Sequence, residues 1–261
     1  MAGHSKWANI KHRKAAQDKK RAKVFTRVIK ELTIAARDGG GDVDTNPSLR
    51  LAVQNAKGAN MPKDTIERAI KKGVGGEGAN LAEITFEGYA SNGIAVFVEA
   101  TTDNNNRTVA SVRSIFNKYG GNLGTKGSLG FLFERKGIFT VKKNSIDAVD
   151  LEEVEMDLID FGLEELTEMD DDIIIQTSFD EYGTMQSALE KRGWDVSNTE
   201  LQRLPLNSTA LEVENAKKVM KLIDKMEEDD DVNAVYHNLE LTEDLLTCLL
   251  YTSDAADDVR S

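Results

Sequence analysis

The chain is poor in the residues that usually carry chemistry. A single cysteine, Cys248, in 261 residues excludes a disulfide framework and any multi-cysteine zinc or iron–sulfur site. Three histidines add few ligands for a transition metal. No apolar run approaches the roughly 20 residues that a membrane helix needs. The N-terminus is basic but lacks the apolar core of a secretory signal. The phosphate-loop pattern G-x-x-x-x-G-K-[ST], H-E-x-x-H, C-x-x-C and G-x-S-x-G are all missing. These gaps argue against an enzyme. They predict no cofactor, no metal, no small-molecule substrate and no membrane partner, in a cytoplasmic, reducing setting.

What is present is charge, unevenly placed. Lys and Arg total 33 against 45 Asp and Glu, a net charge of -12. Residues 1–77 nevertheless hold 17 basic and 8 acidic side chains. All of that excess lies in residues 1–37, with 11 basic against 2 acidic. Residues 78–133 hold four of each, and residues 134–261 hold 12 basic and 33 acidic. A pI near 4.9 would argue against a polyanion, but binding depends on the local patch. Like charges on one short element repel, so something must offset them. A polyanion partner explains the asymmetry best; the chain's own acidic region and plain solvation are the rival readings.

The hydrophobic pattern predicts an α+β fold. Residues 1–16 read as a basic arm with a short helix. Val24, Phe25, Val28, Ile29, Leu32, Ala35 and Ala36 recur with helical period, and Gly39-Gly40-Gly41 ends that helix. Asn46-Pro47 and Met61-Pro62 open two more. Gly73-Val74-Gly75-Gly76-Glu77-Gly78 matches the letters of a dinucleotide fingerprint, but a helix precedes it and a strand follows, so it reads as a flexible linker. Strands are expected at 84–89 and 94–98, a helix at 104–119 and a strand at 129–133. Residues 138–201 then repeat β-α-β-β-α-β, the ferredoxin-like order. A strand at 207–213, a helix at 214–227 and a strand at 232–239 complete the pattern.

The expected organisation is an N-terminal helical domain with its linker (1–77) and two ferredoxin-like α/β domains. One is formed by 78–133 with 205–246, and the other, 134–204, is inserted in it. Residues from Cys248 onward have neither cap nor period and read as translated vector sequence, so 247–261 are set aside as a foreign tail. The acidic runs Glu168–Asp172 and Glu227–Asp231 lack calcium-loop spacing and read as solvated loops. His237 reads as a partly buried strand residue.

The candidate contact residues begin in the arm. Lys6, Lys11, Arg13, Lys14, Lys19, Lys20, Arg21, Lys23 and Arg27 offer charge and donors to phosphate oxygens. His12 suits a phosphate contact or simple exposure. Trp7 offers a ring for base stacking or packs the arm onto the helical domain. Arg50, Arg68, Lys71 and Lys72 extend the surface, although Lys71 and Lys72 also suit the negative end of their helix. The run Asn104, Asn105, Asn106, Arg107 and Thr108 opens a helix. Capping explains one or two of these residues, and the remainder suggest a second polar contact.

Three stretches carry a resemblance to a known family. They are Gly3 to Lys14, Asn60 to Gly73, and Asp103 to Thr108 followed by Gly120-Gly121-Asn122-Leu123-Gly124. Together they resemble the YebC family, and the likeness runs from Met1 to about Leu246. It implies three domains, the third inserted in the second, and a DNA-binding transcriptional regulator of the cytoplasm. A relative that activates mitochondrial translation, and members linked to ribosomes stalled on proline runs, leave ribosomal RNA and the ribosome as the alternative partner. A scaffold docking on acidic protein surfaces is the further alternative. The resemblance places no catalytic residue on this chain. One departure is Gly88-Tyr89-Ala90-Ser91-Asn92-Gly93, where the family usually has a Gly-Pro turn.

Overall fold

The computed structural model describes residues 21–76, 80–146, 150–242 and 244–246. The arm helix expected in 1–16 and residues 247–261, expected to be a foreign tail, lie outside them. From the N-terminus the elements are α1 (Arg21–Gly39), α2 (Pro47–Gly58), α3 (Lys63–Val74), β1 (Ala82–Tyr89), β2 (Ala95–Thr102) and α4 (Asn105–Lys118). There follow β3 (Asn122–Leu123), β4 (Phe133–Lys142), α5 (Leu151–Ile159), β5 (Leu163–Met169) and β6 (Asp172–Ser178). The chain ends with α6 (Tyr182–Arg192), β7 (Val196–Pro205), α7 (Val213–Glu227) and β8 (Val232–His237). They fall into two compact units. Among the described residues, one gathers those in 21–23, 80–134 and 204–246; the other gathers those in 24–76 and 135–203.

In the second unit α1 to α3 bury the stripes that their sequences present. Val28, Leu32 and Ala36 meet Leu49, Ala52, Val53 and Ala56, with Met61, Ile66 and Ala69 closing the core. Asn46 fixes the corner between α1 and α2. Its Oδ1 accepts the Leu49 N–H at 3.1 Å, while its Nδ2 donates to the carbonyls of Ala35 and Gly40 at 2.8 Å each. The expected linker starts later than its glycines suggest. Gly73 belongs to α3, because its bare Cα lets the helix close on the Thr33 carbonyl and the Ala36 methyl. A helix packed this closely needs a glycine, and the sequence cannot distinguish that glycine from one in a turn.

The same unit carries a four-stranded sheet in the order β5-β6-β4-β7. With its helices it runs β-α-β-β-α-β, the ferredoxin-like connection expected for this stretch. β6 pairs antiparallel with both β4 and β5, setting Phe139 opposite Ile175 and Val141 opposite Ile173. These four side chains pack with Val154 and Leu158 of α5 and Met185 and Leu189 of α6. β7 is an edge strand, and α2 covers part of it. The Asn55 carboxamide accepts the Thr199 N–H at 2.9 Å and donates to the Thr199 carbonyl at 2.7 Å. Gln54 adds a bond to the Val196 carbonyl at 3.3 Å. A Cβ on Gly58 would overlap the Ser197 carbonyl oxygen, so only glycine permits this approach.

The first unit holds an antiparallel sheet in the order β3-β1-β2-β8. Phe86, Val96, Val98 and Ala100 face α4 and α7, which bring Val112, Phe116, Val219, Leu222, Ile223 and Met226 to one core. The opposite face holds Ala95, Phe97, Leu129, Phe133 and Tyr236, and Phe97 meets Phe133 edge to face at 6.0 Å. Two expectations fail here, and one short strand was not foreseen. Residues 129–132 are not strand: Gly130–Leu132 is a 3-10 turn, and only Phe133 is extended, as the first residue of β4. Residues 207–213 form no strand and make only a single parallel bridge, Thr209 to Leu239. The two-residue β3 is too short to show a period.

Candidate nucleic-acid interface

The candidates Lys6, Trp7, Lys11, His12, Arg13, Lys14, Lys19 and Lys20 lie outside the described residues. Arg21 opens α1. Lys23 is engaged within the molecule: its Nζ donates to the main-chain carbonyls of Glu227 and, at 2.6 Å, Asp229. Arg27 lies 3.3 Å from Glu31, one helical turn on. Arg50 donates to the carbonyls of Val43 and Asp44, at 3.3 and 2.7 Å, and so braces the loop before α2. These three cations therefore serve the fold. Arg68, Lys71 and Lys72 differ, since all three are exposed on α3. Among the described residues Arg68 bonds only within its helix, to the Asp64 carbonyl and the Thr65 hydroxyl, each at 3.2 Å. Lys71 and Lys72 sit in the last turn, where the helix dipole also favours them.

The second candidate run is organised around Asp231. Asn104 caps α4 by accepting the Arg107 N–H at 3.2 Å. Arg107 reaches Asp231 and Asp103 at 2.8 Å each, and Thr108 donates to Asp231 at 2.8 Å. Thr102 adds a bond to Asp231 at 3.1 Å. The paired carboxylates raise the Arg107 pKa, Asp231 contributing first. Asn105 and Asn106 remain exposed on the first turn. The acidic runs are thus not wholly solvated loops as expected. Asp231 and Asp172 are buried, the latter bonded to Lys142 at 2.7 Å. Burial of a carboxylate is tolerated here because each has a cation and donors at hand. No cluster of three or more potential metal ligands occurs among the described residues.

Sequence reasoning missed a third feature. Glu87 is 3% exposed, yet it is ionisable and lies mid-strand in β1. Its carboxylate accepts the N–H groups of Gly127 at 2.6 Å, Leu129 at 2.5 Å and Gly130 at 3.1 Å. Its carbonyl accepts the Gly124 N–H at 2.7 Å. Four bonds to one residue fix the loop 124–130 on the sheet. The available signal was Gly124, Gly127 and Gly130 at intervals of three around Lys126.

Two family models match the chain, one over its helical segment and one over its α/β segments. The family described as "TACO1/YebC protein N-terminal domain" matches residues 5–76, and "TACO1/YebC second and third domain" matches residues 81–239. A protein of Pseudomonas fluorescens named "probable transcriptional regulatory protein" is 51% identical over 245 residues, covering 93% of this chain and 97% of its own. One of the same name from Thermotoga maritima is 46% identical, covering 92% and 94%. The crystal structure of a conserved hypothetical protein from Aquifex aeolicus superposes with a TM-score of 0.75 at 42% identity, over 85% of this chain and 90% of that one.

Proposed function

The chain belongs to the TACO1/YebC family, and from that premise we propose that it is a non-enzymatic, DNA-binding regulator of transcription. The observation that carries this reading is the segregation of charge. Eleven cations against two acids occupy residues 1–37, most of which lie within the matched N-terminal domain. Lys and Arg there bind phosphate oxygens, and the exposed Arg68, Lys71 and Lys72 of α3 lengthen the cationic surface. The helical domain to residue 77 makes the backbone contact. Residues 78–133 are neutral, while the acidic 205–246 and the inserted 134–204 are repelled from phosphate and face protein. Arm and α1 offer Lys and Arg more than Asn or Gln, so contact is mainly to backbone and sequence preference is weak.

The test is a gel-shift titration of promoter DNA with the full chain and a variant carrying Lys11→Glu, Arg13→Glu, Lys14→Glu and Lys19→Glu. The parent binds and the variant does not. A parent that retains ribosomal RNA but not DNA replaces DNA with RNA as the partner. A variant with unchanged nucleic-acid retention and altered oligomer size makes the arm a protein-docking element instead.

A further inference from the structure

We propose that the face of the first sheet opposite α4 and α7 is a second nucleic-acid site, which takes single strands by stacking unpaired bases on Tyr89 and Phe131 beside Lys126. The inference deepens the nucleic-acid reading and rests on it, but it concerns residues remote in sequence from the basic arm.

The geometry follows from register. Phe86 faces the helical core, and a Cβ on Gly88 would press on the Phe116 ring, so both positions point to α4. Side chains alternate along a strand, which sends Glu87 and Tyr89 to the other face. Pairing agrees: Glu87 stands opposite Phe97, and Tyr89 stands opposite Ala95, both members of the opposite core. The loop 124–130 crosses this face and is fastened to Glu87 by the bonds described above. Its entry is set beside Tyr89 by the pairing of Tyr89 with Asn122. Its exit is Phe131, between the buried anchors Leu129 and Phe133. Tyr89 and Phe131 therefore flank one rigid loop with Lys126 exposed in its middle.

Folding does not account for those two rings. Phe131 is 71% exposed and Tyr89 45% exposed, while their neighbours on the same face are buried. A ring held out in water on an immobilised turn loses little further freedom when a base stacks on it. The local charge favours an anion. The segment 120–133 that crosses this face holds Lys126 and no Asp or Glu, whereas Arg107, Arg113 and Lys118 belong to α4 on the other face. Glu87, the carboxylate beneath the loop, is buried and occupied by backbone N–H groups. Aromatic faces beside a cation and hydroxyl donors (Thr125 and Ser128) suit a flexible strand whose bases are free to splay. A duplex keeps its bases stacked and offers only phosphate.

The experiment uses the full chain and fluorescein-labelled, unstructured RNA and DNA strands of about ten nucleotides, within the footprint of such sites. The same sequences annealed as duplexes serve as a second probe. Phe131→Ala, Phe131→Leu, Phe131→Trp and Lys126→Glu are compared by anisotropy, with circular dichroism as the check on folding. Phe131→Ala weakens single-strand binding by about 5- to 150-fold, the range of one lost stack. Phe131→Leu does the same, Phe131→Trp retains affinity, and duplex binding is unchanged by all three. Lys126→Glu weakens the single strand and flattens its log–log salt slope by about 0.7. RNA and DNA arms report whether the 2′-hydroxyl matters. Parent-like single-strand affinity for Phe131→Ala overturns the site, as does full affinity for Phe131→Leu, which would mark a merely apolar contact. The arm variant separates the two proposals. If it abolishes all binding while Phe131→Ala changes nothing, the arm reading stands and this one falls. If it changes nothing while Phe131→Ala weakens the single strand, the reverse holds.

Discussion

Two single residues show how far burial shifts chemistry away from what their letters suggest. The Tyr182 ring stacks on Phe139 at 5.1 Å, and its hydroxyl has no hydrogen-bond partner among the described residues. Burial pushes the phenol up, and the Glu200 and Glu31 carboxylates add to the effect. A raised folded-state value stabilises the fold fully below the unfolded value near 10, and that contribution is lost as pH rises past it. Lys142, raised chiefly by its bond to Asp172, has the same sign. The urea midpoint should therefore fall between about pH 10 and pH 11. Tyr182→Phe should flatten that fall and cost less than about 1 kcal/mol at pH 7, since it removes an unpaired hydroxyl. An unaltered alkaline slope in the variant would contradict the assignment. Glu87→Gln tests the other residue. An amide has one acceptor oxygen where the carboxylate has two, so the variant should lose about 2 kcal/mol in urea melts. Faster amide exchange at Gly127, Leu129 and Gly130 should accompany the loss.

Among elements, docking of α2 on the β7 edge is the contact most sensitive to single changes. Asn55→Ala strips both partners from buried Thr199 and should cost about 2 to 4 kcal/mol in denaturant melts. Gly58→Ala places a methyl on the Ser197 carbonyl and should cost about 3 kcal/mol. If each variant melts with the parent, α2 does not depend on that edge. None of this was legible beforehand. The stripes of α1 to α3 were, because Val28, Leu32 and Ala36, or Leu49, Ala52, Val53 and Ala56, recur at helical spacing whatever they later touch. The β-α-β-β-α-β run was legible for the same local reason. What failed was set by distant partners. Leu129 and Leu132 look like part of a strand, but the Glu87 carboxylate, 42 residues before Leu129, holds the Leu129 and Gly130 N–H groups where the chain turns. Asp231 looks like a solvated acid until Arg107 and Thr108 arrive from another element. The basic arm was legible as charge alone, and charge does not say what it meets.

Considered as a whole molecule, the chain is a polyelectrolyte of two signs, and salt should expose that. Six to eight phosphate contacts from the arm predict a log–log salt slope of about -5 to -7 on duplex DNA. Reversing Lys11, Arg13 and Lys14 to Glu should flatten the slope by about three units, measured by anisotropy across graded salt. A slope near zero in the parent would remove phosphate as the ligand. Connectivity has its own cost. β2 pairs with β8, so Val98 waits for Val235, and the whole β4 to β7 sheet is synthesised in between. During synthesis the N-terminal helices and the intervening sheet are complete while β2 still presents a bare, Val-rich border. Such late closure slows folding. It also means that a premature stop anywhere before β8 leaves a sticky strand exposed, so truncated products should clump or be degraded rather than persist as partial regulators.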